Sequence, residues 1–189
     1  MKQADLFEDA PLDGVDGTFA EAKFEPFHSW YSYLEGYSAS FVERIRAKYM
    51  PAARTIIDPF AGTGTTPFSL ASRGIRCGYC EVNPVMRWVI SSKLAVVALA
   101  ANERRRLAER LELSADSLPR VLKTTEPDPG LLTSYSNCFG SSQFFSQDAF
   151  SQVLRLRTWA DELNQDDPLL SRLLVLAVMA QIVQCSLLK

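Results

Sequence analysis

The residues best placed to do chemistry lie in one string: Asp58, Pro59, Phe60, Ala61, Gly62, Thr63, Gly64, Thr65 and Thr66. Glu81 follows 17 positions after Gly64. Ahead of the string, Thr55, Ile56 and Ile57 read as a short buried strand running to Pro59. Behind it, Pro67 reads as the opening of a helix that extends to about Ser72, with Arg73 and Gly74 as its stop. A turn that leaves the carboxyl end of a parallel strand and enters a helix is where open α/β sheets bind ligands. Glycine there permits a tight turn and a close approach that a Cβ would prevent. The helix amino terminus adds unpaired N–H groups and a partial positive charge.

Three ligand classes use such a turn. The phosphate-loop form, G-x-x-x-x-G-K-[ST], is excluded, because no lysine is present and the glycine spacing differs. The dinucleotide form, G-x-G-x-x-G, has Pro67 at its third glycine position, which counts against NAD while leaving it in contention. The third class is S-adenosylmethionine, which carries no phosphate and is read through its methionine and ribose groups. Glu81 serves either of the last two, since a carboxylate at the end of a second strand can accept hydrogen bonds from both ribose hydroxyls. Alone, it reads better as a solvated acid at a strand end. One βα unit after a G-x-G turn, it gains weight.

The elements that must position these groups follow from periodicity. Ser38 to Tyr49 places Phe41, Val42, Ile45 and Tyr49 on one helical face, and Pro51 ends it. Ile75 to Val82 reads as the second strand, with Asn83 as cap and Pro84 in the first turn of a long helix reaching beyond residue 110. Residues 116–147, rich in Ser, Thr, Pro, Asp and Gly, read as a connector anchored by Phe144 and Phe145. Helices are expected over Ala149–Leu163 and Leu169–Leu188, separated by Asp166, Asp167 and Pro168. The order strand, glycine turn, helix, strand, helix is the start of a parallel α/β sheet. Residues 1–22 lack periodicity and are expected to be mobile.

The string from Asp58 to Thr66 resembles the first motif of the DNA methyltransferases that act on exocyclic amino groups, making N6-methyladenine or N4-methylcytosine. Glu81, Val82, Asn83 and Pro84 resemble the second motif of that family. The aromatic stretch from His28 to Tyr37, including Trp30 and Tyr33, is similar to the family segment that closes over the methionine end of the cofactor. It reads equally as an aromatic anchor packing the amino-terminal helix onto the sheet. The resemblance implies a partial Rossmann-like, S-adenosylmethionine-dependent methyltransferase fold over residues 23–189, within a site-specific restriction–modification system. Asp58, Pro59, Phe60 and Ala61 would lie beside the cofactor, and Gly62, Thr63 and Gly64 would let the backbone approach it. Thr65 and Thr66 would open the helix with hydroxyl donors, and Glu81, supported by Asn83, would take the ribose.

The family also needs a [DNS]-P-P-[YFW] loop, whose polar group and aromatic ring hold a flipped base. No such tetrapeptide occurs in the chain, and Asp128-Pro129-Gly130-Leu131 and Asp167-Pro168-Leu169-Leu170 lack the second proline and the aromatic. The expectation is therefore a cofactor-binding portion, incomplete at its carboxyl end and inactive alone. DNA would be engaged through the complete enzyme, with the catalytic loop and target recognition supplied either by a longer chain, of which this would be a truncated form, or by a second polypeptide of a split enzyme. Rival readings are a catalytically silent cofactor-binding or partner subunit, a methyltransferase acting on RNA or a small molecule, and a nicotinamide-dependent oxidoreductase.

Composition sets the outer limits. The chain has 189 residues, 22 acidic against 20 basic, 47% hydrophobic and 22% charged, which excludes collagen-like, low-complexity and wholly disordered classes. Near-neutrality excludes a strongly basic nucleic-acid tail. Arg104, Arg105 and Arg106 read as a solvated helix face beside Glu103 and Glu109. The carboxyl-terminal apolar stretch is interrupted by Ser171, Arg172, Gln181, Gln184 and Ser186, so a buried helix is expected and no membrane span. Four cysteines without a signal peptide suggest reduced thiols and a cytoplasmic protein. Cys77 and Cys80 have C-x-x-C spacing, but on a strand they face opposite ways and cannot share one metal ion.

Overall fold

A computed structural model of the chain describes residues 26–31 and 36–187. The expectations for residues 1–22 and for Tyr33 lie outside the described residues. The chain divides into two compact units, 1–90 and 91–189, where the sequence marks no boundary within 23–189.

The first unit contains a short 3-10 helix at His28–Trp30, α1 (Ala39–Tyr49), β1 (Thr55–Asp58), α2 (Thr65–Ala71), β2 (Arg76–Tyr79) and the start of α3 (Pro84–Val97). Ser38 caps α1 by accepting a hydrogen bond from the Phe41 amide. The β-branched run of β1 pairs with β2 in parallel, with Thr55 opposite Arg76 and Asp58 opposite Tyr79. The ladder continues past the strand ends: Cys80 N–H donates to the Asp58 carbonyl, and Ala61 N–H to the Cys80 carbonyl. The glycine turn is thereby fastened over the carboxyl ends of both strands, as the sequence order predicts. Helix α2 packs on β2 and α1, burying Phe68 and Leu70 with Val42, Met86, Val89 and Ile90. Glu43 bridges Arg46 of its own helix and Arg73 beyond α2. Among the described residues β1 has one unpaired edge, and Ile57 is 71% exposed.

The second unit holds the rest of α3, then α4 (Ala101–Thr124), α5 (Pro129–Phe139), α6 (Gln147–Leu163) and α7 (Pro168–Ile182). Helices α6 and α7 pair, and α4 packs on both. Leu107, Val121, Ala160, Leu170, Leu173 and Leu176 form the core. Arg172 reaches back to Ser91 and Ser92 of α3, and Arg110 pairs with Asp167.

Several expected boundaries shift. Helix α2 begins at Thr65, two residues earlier than expected, because Gly64 takes the cap position with φ +92°. Residues 75–82 form a shorter strand, β2. The long helix after Asn83 breaks at residues 98–100, where Glu103 turns back to accept the Ala100 amide and starts α4. The expected connector over 116–147 is largely helical. The polar residues of its first part, 116–124, belong to the outer face of α4, whose inner face buries Leu107, Ser114 and Val121 at seven-residue spacing. Within the same connector, Asp128, Pro129 and Gly130 start α5, with the Asp128 carboxylate accepting the Gly130 amide. The last helix ends at Ile182 rather than Leu188. Thus a small two-stranded parallel sheet, compatible with an α/β fold, sits in a mostly helical chain. No helix of the described residues is long and apolar enough to cross a membrane.

Candidate functional site

The glycine turn borders a cleft of about 250 Å³, lined by Phe60, Ala61, Gly62, Thr63, Thr65 and Glu81 together with Gly36 and Tyr37. Two carboxylates shape it. Glu81, just past β2, accepts from the Gly62 amide at 2.7 Å through one oxygen and from the Asn83 amide at 2.8 Å through the other. Asp58, buried at the end of β1, accepts from the Phe60 amide at 3.0 Å. Gly64 N–H donates to the Ala61 carbonyl at 2.8 Å. With the Ala61 amide on the Cys80 carbonyl, four amides of the turn therefore end on internal acceptors, two of them carboxylates.

Glycine is required at both positions of the pair, since Gly62 and Gly64 have φ +52° and +92°. A Cβ on Gly64 would also come within 3.0 Å of Ile90 Cγ1 and 3.4 Å of Phe68 Cδ2. Gly64 is thus shaped by the core behind the turn, while Gly62 faces the cleft. Phe60 is 84% exposed at the rim. Asn83 supports the site indirectly: its side-chain oxygen accepts the Val85 amide at 2.9 Å and caps α3.

Asp58 and Thr66 meet behind the cleft at the phenol of Tyr37. The Tyr37 hydroxyl donates to Asp58 Oδ2 at 3.1 Å and lies 2.6 Å from Thr66 Oγ1. Burial, with the Asp58 charge adding to it, pushes the Tyr37 pKa up to about 12. Pro59, with Asp58 and Thr66, borders an adjoining groove of about 220 Å³. Trp30 does not line the cleft. It packs on Phe27 at 4.7 Å between ring centroids, and Phe27 stacks on Phe68. Sequence reasoning placed Tyr37 in the aromatic stretch but singled out Trp30 and Tyr33 there instead. The available signal was its place at the end of the aromatic stretch, directly before the cap of α1.

All four cysteines are free thiols. Burial, then the nearby Asp58 charge, raises the Cys77 pKa. Among the described residues no three potential metal ligands gather.

Over 74 residues the chain is 32% identical to the Type II methyltransferase M.AvaI of a Nostoc species and, equally, to that of Anabaena variabilis. The match covers 39% of this chain and 15% of each relative. This partial likeness supports a methyltransferase relationship. The chain thus matches only a small part of the curated relatives' length. No protein-family model and no solved structure matches it.

Proposed function

We propose that the first unit is the S-adenosylmethionine-binding portion of a Rossmann-like DNA methyltransferase acting on adenine N6 or cytosine N4 in a restriction–modification system. The observation that carries this reading is the fate of the turn amides. A phosphate-binding turn presents its N–H groups to the ligand. Here the amides of Phe60 and Gly62 are held by the carboxylates of Asp58 and Glu81, which would repel a pyrophosphate. A ligand without phosphate and with a positive charge suits that environment. The likeness to a type II methyltransferase over 74 residues points the same way.

The residues present fit such a cofactor. Each Glu81 oxygen takes one amide bond and retains a lone pair for a ribose hydroxyl. Phe60, Ala61, Gly62, Thr63, Thr65 and Tyr37 would line the cleft. The cofactor supplies the methyl group, carried on a sulfonium. The protein's contribution is positioning: the turn and Glu81 hold the cofactor so that an acceptor nitrogen can approach in line. At about 250 Å³, the cleft falls below the roughly 300–1,000 Å³ of pockets that enclose a whole ligand. Further polypeptide would cover the remainder and bring the [DNS]-P-P-[YFW] loop and target recognition for DNA.

Titration calorimetry tests the proposal. S-adenosylmethionine is expected to bind and NAD is not. Glu81→Ala should weaken binding by about 1.5–3 kcal/mol, on the order of 10- to 150-fold, through loss of hydrogen bonds to a charged acceptor. Preference for NAD, or unchanged affinity in Glu81→Ala, would overturn the reading. Tritiated-methyl transfer to mixed-sequence DNA should stay at background for this chain and rise when a polypeptide carrying the loop is added.

A further inference from the structure

We infer that Tyr37 is a positioning residue of the cleft, its hydroxyl joining Asp58 and Thr66 so that three separate segments hold the glycine turn as one unit. The ligand arm of the test rests on the cofactor reading above; the structural arm does not.

The hydrogen-bond inventory fixes the direction of the linkage. The Tyr37 O–H donates to Asp58 Oδ2 at 3.1 Å, the carboxylate oxygen accepting. With that proton committed, the Thr66 hydroxyl at 2.6 Å donates to the phenol oxygen. The second Asp58 oxygen accepts the Phe60 amide. The relay therefore runs from the first turn of α2, through the residue before the α1 cap, to the end of β1 and on to the glycine turn. The partners lie 21 and 29 positions from Tyr37, so the linkage is tertiary and not a local turn. Burial and the Asp58 charge raise the phenol pKa to about 12, so it remains a donor at any physiological pH.

Tyr37 also stands between two cavities. It lines the cleft together with Gly62 and Glu81. It also lines the groove that runs past Phe41, Ile45, Ile56 and Asp58. Its ring packs on Phe41 at 5.6 Å between centroids. Tyr37→Phe accordingly keeps the ring seated and removes only the hydroxyl, leaving the half-shielded Asp58 oxygen without its donor. Such groups act cooperatively, and only a double-mutant cycle apportions them.

The test uses Tyr37→Phe, Thr66→Val, the double variant and Thr66→Ser, read by amide exchange over residues 59–66 in the free protein and by S-adenosylmethionine titration. Tyr37→Phe is expected to speed exchange of the Phe60 amide by about tenfold and to weaken cofactor binding by about five- to tenfold, the scale of one lost hydrogen bond. Thr66→Val should act in the same direction, the double variant should be no worse than Tyr37→Phe alone, and Thr66→Ser should behave as wild type. Unchanged exchange, or strictly additive effects in the double variant, would overturn the inference. So would faster exchange with undiminished affinity, because that marks a merely structural hydrogen bond. If the wild type binds no S-adenosylmethionine, the functional proposal fails, and the exchange measurements and their additivity alone decide the role of Tyr37.

Discussion

The two units bury polar groups to different ends. In the first, Asp58, Thr63, Thr65 and Thr66 are buried around one turn, and carboxylates with long-range partners fasten that turn from behind. In the second, a cavity of about 280 Å³ is almost wholly apolar, with Leu118, Val153, Leu156, Trp159, Leu174 and Val178 among its lining. Its buried polar contacts tie helix to helix, as where Ser171 donates to the Ala160 carbonyl at 2.6 Å. One unit spends hydrogen bonds on the shape of a loop, which is what a binding site needs. The other spends them on helix packing, where apolar burial already supplies most of the stability. Two lesions of similar thermodynamic cost should therefore differ in what they do to ligand binding.

The largest effect is expected from the second unit. Leu176 is 2% exposed, and Leu176→Ala should cost about 2–5 kcal/mol by cavity formation, read by chemical denaturation. Affinity of the folded protein for S-adenosylmethionine should not change. A large loss of affinity would erase the contrast between the units.

Gly64→Val strikes the first unit, adding a β-branched side chain at φ +92° against Ile90 Cγ1 at 3.0 Å. A cost of about 2–4 kcal/mol is expected from the strained backbone and overpacking together, with loss of binding in the same variant. Stability within 0.5 kcal/mol of wild type, the ~0.5 kcal/mol range of ordinary surface changes, would refute the turn geometry.

Lys93 sharpens the comparison through pH. Its side chain is 1% exposed, and burial lowers its pKa from 10.5 to about 8. Between those values the unfolded chain binds the proton more tightly, so raising the pH favours the folded state. Stability should climb by roughly 1–3 kcal/mol from pH 8 towards 10.5, one pKa unit being about 1.4 kcal/mol. The climb should be absent from Lys93→Met, and a flat wild-type profile relative to that variant would contradict it. Tyr37 works oppositely. Its folded value, about 12, lies above the unfolded one, so its contribution holds below pH 10 and fades as the pH rises towards 12.

The smallest effect belongs to Asn83→Ala. Loss of the cap on the Val85 amide should cost about 1 kcal/mol in thermal or chemical denaturation. Cofactor affinity should fall less than in Glu81→Ala, since Asn83 touches the site only through its amide to Glu81. An equal fall would make Asn83 a direct binding residue.

Much of the first unit was legible along the chain because its determinants are local. β-branched residues, two glycines, a proline near the helix start and an Asn-Pro cap each state a backbone preference within a few positions. Residues 116–124 misled because a solvated helix face and a loop share the same polar composition. Only Leu107, Ser114 and Val121, spaced by seven, betray the buried stripe. Asp128 and Pro129 lie in the same expected connector, and nothing local marked them as the opening of α5, because such a pair starts turns and helices alike.

The sequence by itself determined the order strand, glycine turn, helix, strand, and the arrival of an acid where the second strand ends. Those features follow from allowed backbone angles and from the periodicity of burial, which short stretches of chain encode. The tertiary structure alone decided where the polar atoms point. The carboxylate of Glu81 turns onto an amide 19 residues away, Gly64 answers to Ile90, and Tyr37 meets Thr66 across 29 positions. No local preference specifies such pairings. They form only after packing has removed water from the groups concerned and left each donor one acceptor within reach.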